Sequence, residues 1–336
     1  MKNINFLIIF VAISVFSCCK KPEIKPTQRD VYTMSKLANV ITVWKNGEVF
    51  IQREDNTGMS GDMYCFMFVE NSDVYTCNDK GEVWKNNQSV LNIDLKTDLN
   101  KGASIRGICV SNGDIYSVAV YDLGYQQSSI AVFKNSEILH TIPWYQIGSN
   151  VNISYLPTDF IYVNGADVYF AGSESKSGTY TPQSLIVWKN GEVHFGFDGT
   201  KYQKICAARG VGEDIYLVAN VDILKNRQYL FTVKNSVYSI SVDSSDIYLA
   251  GIGPSPSRPS ANATVWKNGE VLYNNLDVEE TKFSYATSVV AIDGDVYVAG
   301  YCQTEQVRYI CTWKNGELLY KYEGNKDSGS IGLSVK

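Results

Sequence analysis

The chain has 336 residues and a formal net charge of −5, with 23 tyrosines and two histidines. It has no basic run beyond Lys20-Lys21, which argues against nucleic acid as a partner. Few charged residues together with many Tyr, Val and Ile are typical of strands and not of helices.

The first 17 residues are typical of an export signal. Lys2 precedes an apolar run from Phe6 to Phe16, which is shorter than the roughly 20 residues that a membrane-spanning helix needs. The run ends in Val15-Phe16-Ser17-Cys18, which resembles the lipobox of bacterial lipoproteins. This resemblance implies a signal peptide over 1–17, lipidation of Cys18 and a tether over 18–29. The alternative is an ordinary secretory signal with two incidental cysteines.

Two short motifs alternate along the rest of the chain. One has the form Asp-(Val/Ile)-Tyr, and the other is related to Val-Trp-Lys-Asn-Gly-Glu. The first begins at Asp30, Asp73, Asp114, Asp167, Asp214, Asp246 and Asp295, and the second is centred on Trp44, Trp84, Phe133, Trp188, Val233, Trp266 and Trp313. The alternation indicates an array of seven units.

Each unit has the pattern of four short antiparallel strands, which we label A to D. In the last full unit, the turn signal Asp293-Gly294 separates strands A and B, and a variable loop separates B and C. Asn315-Gly316 is typical of a two-residue type I′ hairpin between C and D. Four-stranded units of about forty to fifty residues predict a β-propeller, because the rungs of a β-helix are shorter and helical repeats have a 3.6-residue period.

The two ends of the array predict a closed ring. The array starts with a strand B at Asp30, and the segment 328–335 resembles the strand A at 283–290. We therefore expect the last strand to complete the first blade. We also expect the fifth blade to lack most of strand D, because Lys234-Asn235-Ser236 runs directly into the next apolar segment. The predicted blades are 30–58 with 328–336, 59–102, 103–150, 151–201, 202–236, 237–280 and 281–327.

The Trp-Lys-Asn-Gly and Asp-Val-Tyr repeats resemble those of uncharacterised exported lipoproteins of the Bacteroidetes type. The resemblance covers about residues 30–336 and implies an all-β, seven-bladed propeller of four-stranded antiparallel blades. It implies no particular activity. The Ser-x-Asp-x-Gly-x-Thr-Trp boxes of sialidases, Tyr-Trp-Thr-Asp repeats and the double glycine of kelch blades are missing from the sequence.

The cysteines form no Cys-x-x-Cys pair, and His140 and His194 are the only imidazoles, so we expect no metal site and no cofactor. Export permits disulfides, and Cys302 and Cys311 flank a short turn where they could bridge a hairpin. Cys65 with Cys77 is a weaker candidate pair. The alternative is that the cysteines are small buried residues within strands.

Residues shared by all units are explained by the fold, whereas the B–C and D–A loops differ in length and chemistry. We therefore expect a ligand on the face that carries these loops. Aromatic side chains there would suit sugar rings or peptide side chains, with packing as loop plugs as the alternative. The candidate ligand-binding residues are Tyr121, Tyr125, Trp144, Tyr145, Tyr180 and Arg258.

The leading hypothesis is a non-catalytic binding or scaffolding propeller, expected to be a monomer and lipid-anchored to the bacterial outer membrane. Which side of that membrane it faces stays open, as does whether the partner is a glycan, a peptide or an envelope protein. The alternative is a glycan-active hydrolase or lyase with a pair of channel carboxylates about 5 to 10 Å apart. Candidate carboxylates are Asp122, Asp159, Glu174, Asp222 and Glu305. A subunit of a larger envelope complex is a third interpretation.

Overall fold

The structure is a computed structural model that describes residues 29–37, 39–54, 65–95, 103–124, 127–143, 145–147, 151–176, 182–199, 201–202, 204–253, 262–324 and 329–336. These residues form antiparallel β-sheets, in which tight turns alternate with longer connections. The part of the chain that the structure describes contains no helix.

The strands follow one another in groups along the chain. The first four groups are β1 (Val31–Leu37), β2 (Val40–Lys45) and β3 (Glu48–Glu54); β4 (Cys65–Glu70), β5 (Asp73–Asn78), β6 (Glu82–Lys85) and β7 (Gln88–Asn92); β8 (Ala103–Ser111), β9 (Asp114–Gly124), β10 (Gln127–Lys134) and β11 (Glu137–Ile142); and β12 (Tyr145–Ile147), β13 (Val151–Asn164), β14 (Asp167–Lys176), β15 (Pro182–Lys189) and β16 (Glu192–Asp198). The remaining groups are β17 (Ile205–Val211), β18 (Asp214–Ala219), β19 (Asp222–Lys225) and β20 (Gln228–Thr232); β21 (Val237–Asp243), β22 (Asp246–Gly253), β23 (Asn262–Lys267) and β24 (Glu270–Asn274); β25 (Phe283–Ile292), β26 (Asp295–Gln303), β27 (Arg308–Lys314) and β28 (Glu317–Gly324); and finally β29 (Gly329–Val335).

The described strands form seven sheets, one for each blade of a β-propeller. Six sheets have four strands, and the fourth blade has a fifth strand because β12 pairs with the start of β13. The innermost strands contact one another in the cyclic order β29, β4, β8, β13, β17, β21 and β25, and then β29 again. The predicted all-β, seven-bladed architecture is confirmed.

The ring is closed by the C-terminal strand, as the sequence predicted. β29 pairs antiparallel with β1, so that Val335 lies opposite Val31. Beyond this pair, the N–H groups of Asp30 and Lys336 each donate to the other residue's carbonyl oxygen, at 3.0 Å. The first blade therefore contains strands from both ends of the described chain, and its inner edge is not left open.

The hydrophobic core lies between the blades. Strands B and C are buried on both faces, as in β26, where Val296 to Gly300 are all buried. Apolar side chains of adjacent blades interleave there, and Trp188 and Trp313 are each only 1% exposed. This packing explains why strands B and C are continuous apolar runs in the sequence, since neither face of these strands meets water.

The prediction for the fifth blade was wrong. Its third and fourth strands are β19 and β20, so the blade has all four strands. Lys225 and Asn226 take the positions that Lys and Asn hold in the other units, and not Lys234 and Asn235. The B–C connection is very short here, and Leu224 takes the place of the usual tryptophan. For these two reasons the segment does not closely resemble the Trp-Lys-Asn-Gly motif of the other units. Val233 is buried in the connection that follows strand D.

Cys302 and Cys311, the pair that could bridge a hairpin, are both buried free thiols in the structure. In the β26–β27 pair, Cys302 lies opposite Tyr309 and Cys311 lies opposite Gly300. The two cysteines are therefore diagonal neighbours, and a hydrogen bond between their thiols together with burial raises the pKa of Cys311. Cys77 is also a buried free thiol.

Candidate functional site

The repeated motif residues form the same polar contact in every blade. In the sixth blade, Lys267 Nζ lies 2.7 Å from Asp246 Oδ2, and Asn268 Nδ2 donates to Asp246 Oδ1 at 2.8 Å. Asn268 Oδ1 accepts the Ile247 N–H, and the lysine lies over the ring of Tyr248. The lysine and the asparagine lower the pKa of the aspartate. The contact joins strand B to the C–D turn, so these charges serve the fold.

A cavity of about 710 Å³ lies on the axis of the ring. Its wall is formed by the inner strands β4, β8, β13, β17 and β21, that is, by blades two to six. A cavity of this size falls within the range of small-ligand sites. Since each blade contributes a different inner strand, the wall combines side chains that are not repeated.

β-bulges add to this variety. The inner strands of blades three, five and six each have a register shift near their first residues, and the bulged residues are Arg106, Cys206 and Tyr238. All three line the cavity. A bulge re-aims a side chain and often lies beside a functional site. The bulges therefore bring a cation, a thiol and a phenol to one level of the channel, near the loop face.

A row of tyrosines continues from Tyr238 along the loop face. Tyr238 is 41% exposed and its ring stacks on Tyr285, with the centroids 6.4 Å apart. Tyr285 stacks on Tyr301 at 4.7 Å, and the guanidinium of Arg308 lies 4.5 Å from the centre of the Tyr301 ring. Phe283 packs edge-on against Tyr285. We call Tyr238, Tyr285, Tyr301 and Arg308 the tyrosine row, and it joins the cavity to the B–C loop of the seventh blade.

The opposite end of the cavity, beside the A–B turns, is charged. Glu70 accepts the N–H groups of Asn112 and Gly113 at 2.9 and 3.0 Å, so it holds the A–B turn of the next blade. Arg209 projects from β17 into the same cavity. Partial desolvation by the surrounding protein lowers the pKa of the Arg209 guanidinium, although the residue is exposed to solvent.

The residues predicted from sequence to bind a ligand are not brought together in the described structure. Tyr121 is only 6% exposed and packs in the apolar cluster between the second and third blades, which favours the packing alternative for that ring. Tyr145 lies in β12, of whose side chains nothing is described. Tyr125, Trp144, Tyr180 and Arg258 lie outside the described residues.

The candidate carboxylates do not form a pair in the described channel wall. Glu174 accepts a hydrogen bond from Ser184, Asp222 accepts one from Thr232, and Glu305 pairs with Lys282. All three lie on strands B and C or their loop, away from the inner strands. The side chains of Asp122 and Asp159 lie outside the description.

Sequence reasoning missed the tyrosine row. The sequence pattern places 283–290 in a strand A and the segment after strand B of the seventh unit in a variable loop, and it marks none of these four residues as a candidate for binding. A usable signal was present, because tyrosines occur near the start of strand A in two successive units. The bulge that turns Tyr238 toward the cavity has no comparable signal in the sequence.

Among the described residues, no group of three or more His, Cys, Asp or Glu side chains is placed to hold a metal ion. A search of the same residues finds no helix with the length and hydropathy needed to cross a membrane.

No protein-family model matches the chain, and no curated protein matches it. Solved structures do match. Dihydro-heme d1 dehydrogenase NirN in complex with DHE matches with a TM-score of 0.48 and 8% identity, over 90% of this chain and 74% of that one. The acylaminoacyl peptidase of Pyrococcus horikoshii gives 0.43 and 13%, over 86% and 50%. A PL25 ulvan lyase gives 0.40 and 8%, over 87% and 80%. At such identities the similarity concerns the fold alone.

Proposed function

We propose that this protein is a non-catalytic binding propeller that takes its ligand at the channel mouth on the loop face. The tyrosine row is the observation that supports the proposal most directly. It offers flat apolar rings with polar edges, partly exposed, beside a cavity that is large enough for a small ligand. Sugar rings and aromatic or proline-rich peptide segments are the ligands that such a surface suits best.

The described acids favour binding over hydrolysis. Glycoside hydrolysis needs two carboxylates about 5 to 10 Å apart. On the described inner strands, Glu70 and Asp243 each accept backbone N–H groups from the A–B turn of the next blade. These carboxylates hold neighbouring blades together.

The proposed location is the bacterial envelope, with a lipid on Cys18 and residues 18–29 as the tether. The support for it is the lipobox-like Val15-Phe16-Ser17-Cys18 segment after a short apolar run. A tethered receptor would present one end of its channel to the surrounding medium. Metabolic labelling with a fatty acid would show incorporation that disappears in Cys18→Ala.

A thermal-shift screen of the purified protein against oligosaccharides and peptides tests the binding proposal. A ligand at about 100 times its dissociation constant adds about 2.7 kcal/mol to the free energy of unfolding. We expect that gain to be lost in Tyr285→Ala, because Tyr285 contacts both neighbouring tyrosines of the row.

The matched control is Tyr229→Ala, which removes an exposed tyrosine from the outer strand of the fifth blade. Loss of binding in Tyr285→Ala but not in Tyr229→Ala would support the proposed site. Equal affinity in all three proteins would place the ligand elsewhere, and measurable turnover of an oligosaccharide would refute the non-catalytic assignment.

A further inference from the structure

Two cations lie at the turn end of the channel, although the whole chain has a net charge of −5. Arg209 lines the cavity there, and Glu70 is the one carboxylate among the described lining residues. Lys336, next to the strand that closes the ring, is a second cation close enough to interact electrostatically with Arg209 and Glu70. A channel with low-dielectric walls concentrates the potential of such charges.

Arg209 has no anionic partner within the described structure. It makes no hydrogen bond and no ion pair with any described residue. The groups that interact with it electrostatically in its favour are Tyr162 and Cys109, both ordinarily neutral. Arg209 is exposed to solvent on the wall of the cavity, so an anion that enters the channel can reach its guanidinium directly.

Lys336 lies close to Arg209. Desolvation and the nearby charge of Arg209 both lower its pKa, and Glu70 offsets them only in part. The two oxygens of Glu70 already accept the N–H groups of Asn112 and Gly113, which fixes the carboxylate on the neighbouring turn. The two cations therefore share one end of the channel with a carboxylate whose two oxygens already accept backbone hydrogen bonds.

The wall around Arg209 is closely packed. A Cβ atom built on Gly210 would lie 2.0 Å from the ring of Tyr162, so that ring lies directly against the backbone beside Arg209. The Tyr162 hydroxyl donates to the carbonyl oxygen of Gly212 at 3.3 Å, which holds the ring in this place. The backbone that carries Arg209 is therefore fixed by its contact with the neighbouring blade.

We propose that the turn end of the channel is an anion-binding site, with Arg209 as the principal ligand-binding residue and Lys336 as a second cation. The ligand would be a compact anion, either an inorganic oxyanion or the carboxylate of an acidic sugar. A planar guanidinium binds both of these groups through paired N–H donors. The site is separate from the tyrosine row, which lies at the other end of the cavity.

The test is a titration of the purified full chain with sodium sulfate, sodium phosphate or sodium glucuronate, against chloride at constant ionic strength. Thermal midpoints report binding, and the anions are kept at millimolar concentration so that their general stabilising effect stays small. We expect a saturable rise in the midpoint with at least one anion. A stronger response to the inorganic anions would indicate a free oxyanion as the ligand, and a stronger response to glucuronate an acidic sugar.

The decisive variant is Arg209→Gln, for which we expect at least a tenfold weaker apparent affinity. Its midpoint without added anion should equal that of the wild type, because Arg209 is exposed and makes no hydrogen bond or ion pair with a described residue. Arg227→Gln, in the C–D turn of the same blade, is the matched control and should bind like the wild type. Lys336→Gln tests the site independently and should weaken binding severalfold. Identical titration curves for the wild type and Arg209→Gln, or no saturable rise with any of the three anions, would overturn the proposal.

Discussion

Two glycines of the seventh blade allow the strain of a left-handed residue to be separated from the crowding between blades. Gly294 and Gly316 each occupy the second position of a tight turn, with φ of +82° and +87°. A Cβ atom built on Gly294 meets nothing within 4 Å, whereas one on Gly316 would lie 2.8 Å from Cδ1 of Tyr273, in the outer strand of the sixth blade. The two positions differ in their neighbours much more than in their backbone conformation.

We expect Gly294→Ala to lower the free energy of unfolding by about 1–2 kcal/mol, the cost of a left-handed conformation for a residue with a Cβ. Gly316→Ala has the same cost plus about 1–3 kcal/mol for overpacking against Tyr273. The thermal midpoint should therefore fall clearly further in Gly316→Ala, at about 2 °C for each kcal/mol.

Urea denaturation followed by tryptophan fluorescence measures both changes. The double variant Gly316→Ala/Tyr273→Ala should recover part of the loss, as a coupling of about 1–3 kcal/mol in a double-mutant cycle. Equal losses in Gly294→Ala and Gly316→Ala, or no coupling with Tyr273→Ala, would show that the tyrosine moves aside without cost. Close packing between the sixth and seventh blades would then not be the reason for glycine at position 316.

Three further perturbations test individual contacts of the fold. The pKa of Asp246 is lowered in the folded protein. This carboxylate therefore stabilises the fold at a pH above its unfolded pKa, and the stabilisation is lost as the pH falls through the folded pKa. The difference in thermal midpoint between the wild type and Asp246→Asn should close below about pH 4. Deleting 329–336 leaves the first blade without its inner strand, and limited proteolysis should then cut a chain that resists cutting when intact. Burial raises the pKa of Cys109 to about 11, and Cys302 and Cys311 are fully buried. Iodoacetamide should therefore modify these three thiols only after unfolding, as measured by peptide mass spectrometry. A Cys302–Cys311 pair that stayed unmodified in denaturant without reductant would reveal a disulfide.

The repeats predicted the architecture because each motif residue has a local role that recurs in every blade. An asparagine at the first C–D position takes positive φ, as Asn315 does at +51°, while its amide binds the aspartate at the start of strand B. The spacing of the two motifs therefore reports the lengths of strands B and C. The spacing between Asp214 and Lys225 is shorter than in the other units. There the same reasoning assigns the lysine of the motif to Lys234 and predicts that most of strand D is missing, although the structure contains it.

The glycine of the C–D turn also carries information about the neighbouring blade. At four turns an added Cβ would meet a ring from the outer strand of the preceding blade within about 3 Å, in the pairs Gly47 with Tyr320, Gly191 with His140, Gly269 with Phe231 and Gly316 with Tyr273. Asn87 and Ser136 replace the glycine where the equivalent residue of the preceding blade is not a ring, namely Ile51 and Leu91. Arg227, which follows a blade with Phe195, departs from this correlation.

The candidate site could not be predicted in the same way, because it depends on what the blades do not share. The bulges at Arg106, Cys206 and Tyr238 arise from a local register shift of each inner strand, which no residue motif marks. Arg209 of the fifth blade shares the cavity with Glu70 of the second, whose carboxylate is bound by a turn of the third. The cavity wall combines residues from different blades around the axis, whereas sequence patterns describe neighbours within one blade. The repeated residues of a symmetric scaffold thus predict its fold, whereas the candidate site at the axis consists of residues that differ from blade to blade.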